Sequence, residues 1–437
     1  MAKKKMTLEE KLEEAIVKEV PYEMPEKWIN VNLNSIVKFE KGKKPKILID
    51  DFEDKAIPYV TIKCFQTKEA EQYTFETETN RLCNEDDILI VWDGARAGLI
   101  GTGVQGAVGS TLCNIRFNCI NKKFMYYYFL SKYDLINSNT KGTGIPHVDP
   151  SYLQTLVLSI PPLKEQQRIV DKIESLFEKL DKAKELIEEA RDDFEKRKSA
   201  ILDKAFRGDL TNAWRKNKSI TDKWKRDKLK DVAKITSGGT PSRKHPEFFE
   251  GDIPWIKTGE ITWNRICDSE EHITQEAIEN SSAKLIPKGA VLVAMYGQGL
   301  TRGRASILEK EACTNQAVCA LIPSKSVINS YLYYYFMSNY WRFRQVAKGG
   351  NQENLSGKVI GAFEINIPTL DEQKEIVRIL DNLLEEESKI EELTTLEEQI
   401  ELIKKSILAK AFRGQLGTNC EDDESAMELL KEILNKE

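Results

Sequence analysis

The chain has 437 residues, of which 41% are apolar and 31% charged, and its net charge is −5. That length exceeds one ordinary domain, and that apolar content excludes a disordered chain, so two or three folded domains are expected. No stretch reaches the roughly 18–20 apolar residues of a membrane span, and the first lysines lead into a charged helix, not a secretion signal; a cytoplasmic protein with no membrane partner is expected.

Taken in chain order, residues 1–26 read as a connector helix. Residues 27–163 alternate short apolar runs with Gly-, Asn- and Asp-rich turns, giving strands near 57–62, 88–92, 112–117 and 155–160 and a helix near 122–138. Residues 164–210 read as one long helix, free of Gly and Pro until Gly208 stops it. A linker, 211–222, follows. Residues 223–370 repeat the first pattern, with strands near 253–257, 290–295, 316–322 and 361–367 and a helix near 329–346. A second long helix, 371–416, and an acidic tail, 417–437, complete the order.

The chain is thus written twice. IPPLKEQQRIV at 160–170 matches IPTLDEQKEIV at 367–377, and KAFRGDL at 204–210 matches KAFRGQL at 410–416. Fainter echoes lie upstream: Tyr126–Ser131 against Tyr333–Ser338, ILIVWDG at 88–94 against VLVAMYG at 291–297, and Trp28 against Trp224. Helices that repeat closely serve one purpose twice, whereas the domains share only scattered anchors and serve similar purposes on different targets.

In the first helix Ile169, Ile173, Leu176, Leu180, Ala183, Ile187, Ala190, Phe194 and Ile201 follow spacings of 4 and 3, with Arg197 in the one charged seam position. The second carries Ile376, Leu380, Leu383 and Ile390, then drifts to Leu393, Ile400, Ile403 and Ile407. So narrow a stripe wants a partner helix, and the other copy is the obvious one. The fold class expected is α+β: two globular α/β domains separated by a long antiparallel two-helix coiled coil, an internal duplication with pseudo-twofold symmetry. A helix packed on its own domain is the plainer alternative, but it needs a wider apolar face.

Residues 370–437 hold 19 acidic and 9 basic residues, which leaves the rest of the chain mildly basic, so net charge does not exclude nucleic acid. Six polar loops at corresponding positions carry the residue types that contact DNA. They hold Lys43 and Lys44 (41–46), Arg96 (94–98), Lys141 and His147 (141–147), Arg243 and Lys244 (237–245), Gln298, Arg302 and Arg304 (296–304), and Lys348, Asn351 and Gln352 (348–354). Arg and Lys suit phosphates and guanine edges, and Gln and Asn suit adenine edges. The tyrosine runs fit core packing better than base stacking. Cys113/Cys119 and Cys313/Cys319 share a spacing but sit in strand-like runs, so buried thiols are expected and no metal site. There is no phosphate-binding GxxxxGK[ST] loop, no NPPY- or DPPY-type methyltransferase motif, and no nuclease signature, so no catalytic residue is assigned.

The paired IP-x-L-x-EQ-x-x-IV and AFRG-x-L motifs, each bracketing a heptad helix, resemble those of the specificity subunits of type I restriction–modification systems. The terminal segments resemble two pieces of one connector, as the family's circular symmetry implies. The resemblance implies that residues 27–163 and 223–370 are target recognition domains, each reading half of a bipartite site in double-stranded DNA. It implies that the coiled coil sets the spacer and docks two modification subunits, and through the complex restriction subunits. The chain itself would bind no cofactor; S-adenosylmethionine, ATP and Mg belong to the partners. A duplicated DNA-modifying enzyme and a coiled-coil scaffold without DNA contact are the rival readings.

Overall fold

The computed structural model describes residues 6–436 apart from 80, 143, 298 and 347–354, with backbone alone for 346, 384 and 386–394. It divides into two units, Met1–Leu186 with Thr395–Glu437, and Ile187–Thr394. Both divisions fall inside a long helix, Leu163–Arg207 or Leu370–Ala411.

In the first unit a four-stranded sheet has the order Lys38–Lys41, Leu112–Arg116, Ile88–Val91, Ile100–Gly101. A second sheet is built on Ala56–Val60, antiparallel to Tyr73–Phe75 and parallel to Gly106–Val108. A third pairing, Ile29–Asn32 with Val157–Ile160, closes the domain at the root of the long helix. The helix Lys122–Ser138 buries Phe124, Tyr128 and Phe129 in the largest core of this unit.

The second unit repeats this plan. Ala233–Ser237, Val318–Pro323, Val291–Ala294 and Ala305–Leu308 take the same order, with Arg265–Ile266 added at the edge. Ile253–Ile256 again has one antiparallel and one parallel neighbour, and Lys225–Lys228 pairs with Glu364–Ile367 at the root of the second long helix. The helix expected over 329–346 is two, Asn329–Ser338 and Tyr340–Val346, broken at Asn339.

Each unit contains one end of both long helices, running antiparallel. In the first, Ile169, Val170 and Ile173 share a core with Leu408, Ala411 and Phe412, while farther along Lys404 Nζ lies 2.5 Å from Asp181 Oδ1 and over the Phe177 ring. In the second, Phe194, Leu202 and Ala205 share a core with Ile376, Leu380 and Leu383. Leu176, Leu180, Ile187, Ile201 and Ile407 are half-buried, and Ile400 is buried. Two expected seam positions differ. Ile403 is exposed, because Leu408 and the aliphatic stem of Lys404 occupy the contact instead, and Arg197 is exposed beside the Phe194 ring. The side chains of Ile390 and Leu393 lie outside the described residues.

Both helices end as their glycines dictate. Gly208 and Gly414 take left-handed φ values of 86° and 68°, and the chain behind them bonds back to the Lys204 and Lys410 carbonyls. The helices Leu8–Ala15 and Ala426–Asn435 pack together on the first unit, where Lys11 Nζ donates to the Leu434 carbonyl at 2.6 Å.

Candidate nucleic-acid interface

The repeated motifs are the scaffold on which the polar loops stand. In each copy the EQ pair begins a long helix, and both side chains are at most 2% exposed. Glu165 accepts from the Trp28 indole at 2.8 Å, the Thr418 hydroxyl at 3.1 Å and Asn419 at 2.9 Å. Glu372 accepts from the Trp224 indole at 3.0 Å, the Thr211 hydroxyl at 2.5 Å and Arg215 at 3.1 Å. Burial pushes the Glu165 carboxyl above its ordinary range, partly opposed by the Trp28 and Thr418 hydrogen bonds. Gln166 donates to the Pro161 carbonyl at 3.0 Å and accepts from Asn121 N at 2.9 Å; Gln373 does the same with Pro368 and Ile328 at the same distances.

The clasp is reciprocal. Thr418 and Phe412 belong to the second copy in sequence, yet they complete the first unit, where Phe412 packs on Phe124 and Tyr128. Thr211 and Phe206 belong to the first copy and complete the second unit, on Tyr331 and Tyr335. The threonine just beyond each AFRG motif is therefore a repeated contact, signalled by TN at 211–212 and 418–419; Asn419 adds a bond to Glu165, whereas on Glu372 that place is taken by Arg215, which also donates to Asn212. The tyrosine runs are core and strut: Tyr128 and Tyr335 hydroxyls donate to the carbonyls of Val157 and Glu364 at 3.0 and 2.8 Å.

The structure brings the three polar loops of the first domain to one end of its central sheet. Gly42 N donates to the Leu112 carbonyl and Lys43 N to that of Val108, at 2.9 and 3.1 Å. Trp92 N, at the end of Ile88–Val91, donates to Thr111, and Val148 N donates to Trp92. Gly94 N meets the Pro146 carbonyl at 2.7 Å, and Lys41 pairs with Asp93 at 2.8 Å. Position 42 admits only glycine, because a Cβ there would lie 2.2 Å from the Gly109 carbonyl oxygen. Lys43, Lys44 and Arg96 are exposed on this end; Arg96 donates to Gln66 at 3.0 Å. Lys141 is paired with Asp149 at 2.8 Å, and half-buried His147 exchanges two backbone hydrogen bonds with it.

The second domain uses the same anchors. Gly238 N donates to Val318, Gly239 N to Thr314, Met295 N to Ala317 and Leu355 N to Met295. Gly238 is again required, with a Cβ position 2.1 Å from the Thr314 carbonyl oxygen. Arg302 and Arg304 sit half-buried in the loop after Val291–Ala294, and Lys244 is exposed. The Arg243 charge is met by Glu271 at 2.6 Å and its guanidinium lies 4.0 Å from the Phe249 ring centre, so it also braces its own loop. Gln298, Lys348, Asn351 and Gln352 lie outside the described residues.

Among the described residues no group of three or more His, Cys, Asp or Glu side chains is placed to hold a metal ion. Burial pushes the Cys113 and Cys319 thiols up to about 12, so neither offers a thiolate near neutrality. No helix among the described residues is long and apolar enough to cross a membrane.

What remains is two versions of one polar loop cluster on a repeated scaffold. The family described as the type I restriction modification DNA specificity domain matches residues 25–191 and again 221–402. The chain belongs to that family. It is a specificity subunit, the DNA-recognising and non-catalytic component of a type I restriction–modification system, with two target recognition domains. It is 27% identical to the type I restriction enzyme MjaVIII specificity subunit of Methanocaldococcus jannaschii, over 90% of this chain and 94% of that one. The EcoBI specificity subunit of Escherichia coli is 24% identical over 89% of this chain and 86% of its own. Among solved structures, a chain from a study of type I R-M complex assembly and conformational transition superposes with a TM-score of 0.71. That match has 22% identity and covers 91% of this chain and all of the other. The HsdS subunit of Thermoanaerobacter tengcongensis gives a TM-score of 0.57 at 20% identity, over 92% of this chain and all of its own.

Proposed function

We propose that residues 27–163 and 223–370 each read one half of a bipartite target in double-stranded DNA, through the loop cluster at the end of each central sheet. One observation carries this reading. The same backbone anchors hold the loops after Lys38–Lys41 and Ile88–Val91 in the first domain and after Ala233–Ser237 and Val291–Ala294 in the second, while the side chains that those loops present differ from one domain to the other. Lys43, Lys44, Lys141 and Lys244 supply phosphate contacts, and Arg96, Arg302 and Arg304 are the guanidinium groups with the geometry to meet a guanine edge. His147, Arg243, Gln298, Lys348, Asn351 and Gln352 complete the proposed contact set.

The paired long helices fix the unread spacer between half-sites and present the docking surface for two modification subunits, with restriction subunits joining through the complex. S-adenosylmethionine, ATP and Mg belong to those partners, and the complex works in the cytoplasm, where the DNA is. The test is methylation mapping in a host that carries the modification subunit, with this chain and with a version whose residues 27–163 come from another specificity subunit. One half-site should change while the other stays as it was. A simultaneous change in both would refute the assignment.

A further inference from the structure

The glycine-rich loop that follows the central strand of each domain gains little rigidity from the residues that make it. Gly94, Gly98, Gly299 and Gly303 all have positive φ, and glycine has little preference among backbone states. Each loop is closed at its base by an equivalent pair of bonds: Gly98 N to the Val91 carbonyl at 2.8 Å with Val91 N to that of Leu99 at 2.7 Å, and Gly303 N to the Ala294 carbonyl at 2.8 Å with Ala294 N to that of Arg304 at 3.0 Å. Beyond that base and the turn bonds Ala97 N to Gly94 and Arg304 N to Thr301, each has two of its carbonyls gripped by one side chain of a neighbouring helix. In the first domain Asn137 Nδ2 donates to the carbonyls of Ala95, at 3.3 Å, and Ala97, at 2.8 Å. In the second, Arg344 donates to the Gly299 carbonyl through Nη2 at 2.7 Å and to the Arg302 carbonyl through Nη1 at 2.9 Å. Residues 137 and 344 are 207 apart, the same offset that relates the EQ motifs.

The grip falls on the residues that matter. Ala95 and Ala97 flank Arg96, and the carbonyl of Arg302 is itself held, next to Gly303 and Arg304. Fixing those peptide planes fixes the directions in which the arginines leave the backbone. The donor also matches its loop. The segment between the base residues is two residues longer in the second domain, and there a long guanidinium takes the place of a short carboxamide. The Arg344 guanidinium is braced by the Tyr340 and Trp341 rings, 5.4 and 5.8 Å from their centres, and the Tyr340 hydroxyl donates to the Leu300 carbonyl.

We propose that Asn137 and Arg344 are equivalent positioning residues that set sequence discrimination in the two half-sites by holding the reading loop, without contacting DNA themselves. This rests on the reading of each domain as a half-site reader. The loop and its grip therefore form one unit of specificity: a loop of different length needs a different donor at this position.

The test uses the complex assembled with its modification subunits, S-adenosylmethionine, and a duplex library in which each half-site is varied in turn. Asn137→Ala should cost about tenfold in discrimination at one half-site only. Arg344→Met, which keeps the apolar stem, should cost about as much at the other. Arg344→Lys, with one compact charge for two carbonyls, should fall between and rescue folding if the methionine variant assembles poorly. Loss at both half-sites together, or unchanged discrimination in complexes that melt like wild type, would overturn the proposal. Arg96→Ala and Arg302→Ala separate the two levels. If they leave both half-sites unaltered, the half-site reading falls and this inference with it. If they alter discrimination while Asn137→Ala and Arg344→Met do not, the positioning role alone is wrong.

Discussion

The reciprocal clasp makes a prediction that sequence proximity would never suggest. Phe412 follows the second domain in the chain, but its ring lies 5.2 Å from Phe124 and 5.5 Å from Tyr128 in the first. It is 6% exposed, so Phe412→Ala removes a fully packed ring; such truncations cost about 3–5 kcal/mol. At about 1.4 kcal/mol per factor of ten, local opening becomes roughly 10²- to 4 × 10³-fold more frequent. The cost should appear in the first unit, in the helix Lys122–Ser138 and the pair Ile29–Asn32 with Val157–Ile160. Phe206→Ala should do the same to Asn329–Ser338 and the pair Lys225–Lys228 with Glu364–Ile367, at the lower end of that range because Phe206 is only half-buried. Hydrogen–deuterium exchange read peptide by peptide locates the effect. If Phe412→Ala speeds exchange in the second unit and spares the first, each exit motif serves its own copy and the reciprocal reasoning is refuted.

Three further expectations are simpler to check. Lys43→Ala with Lys44→Ala should weaken binding about evenly across DNA sequences and flatten the salt dependence by about two units of slope; a change confined to certain sequences would reassign them to base reading. Paired seven-residue insertions in the two long helices, after Leu186 and after Thr394, keep the heptad register and add about 10 Å. The preferred spacer should grow by about three base pairs, and an active complex that keeps its old spacer would remove the ruler. The Cys113 and Cys319 thiols, pushed up to about 12, should resist alkylation at pH 8 while exposed Cys267 and Cys420 react. Because these folded values lie above the unfolded one near 9, the native state keeps their protons longer; stability should therefore fall as pH rises from about 9 toward 12. A melting temperature flat across that window would contradict it.

Much of the fold was legible because it is written in periodicity and punctuation. The long helices announce themselves through a 3–4 apolar spacing and a terminal glycine, and the central strands Ile88–Val91 and Val291–Ala294 through unbroken apolar runs. The strands that were not legible lack any such pattern. Lys225–Lys228, KRDK, is exposed along its length and is a strand only because Glu364–Ile367 lies beside it. The start of the last strand, expected near 361, was displaced by the short helix Gly357–Gly361, capped by Ser356. Of the candidate site, the loops and their correspondence were readable, but not their supports. Asn137 and Arg344 sit in helices as ordinary polar residues, and only the fold shows which carbonyls they reach. The antiparallel seam was readable in kind, but its partners were not, since Leu202 and Leu408 are the buried residues where Ile201 and Ile403 were expected to dominate.

The contrast between constant helices and divergent loops has a physical cause in how each is held. The clasps are side-chain contacts: a carboxylate receives an indole N–H and a hydroxyl, and a carboxamide bridges two backbone groups. Change either partner and a buried polar group is left unmet, which costs about 1–3 kcal/mol each time. Those residues must therefore repeat. The loop clusters are gathered instead by backbone amides and carbonyls, from Gly42 to Leu112 and from Trp92 to Thr111, with their counterparts Gly238 to Val318 and Met295 to Ala317. Apart from the glycine that positions 42 and 238 require, backbone bonds are indifferent to the side chains around them, so KGKKPK and SGGTPSRKH can occupy the same place in the fold. Trp92 and Met295 make equivalent bonds with unlike side chains, which is this freedom seen at a single position. A recognition protein held in this way can change the side chains of its loops one domain at a time without loosening its own frame.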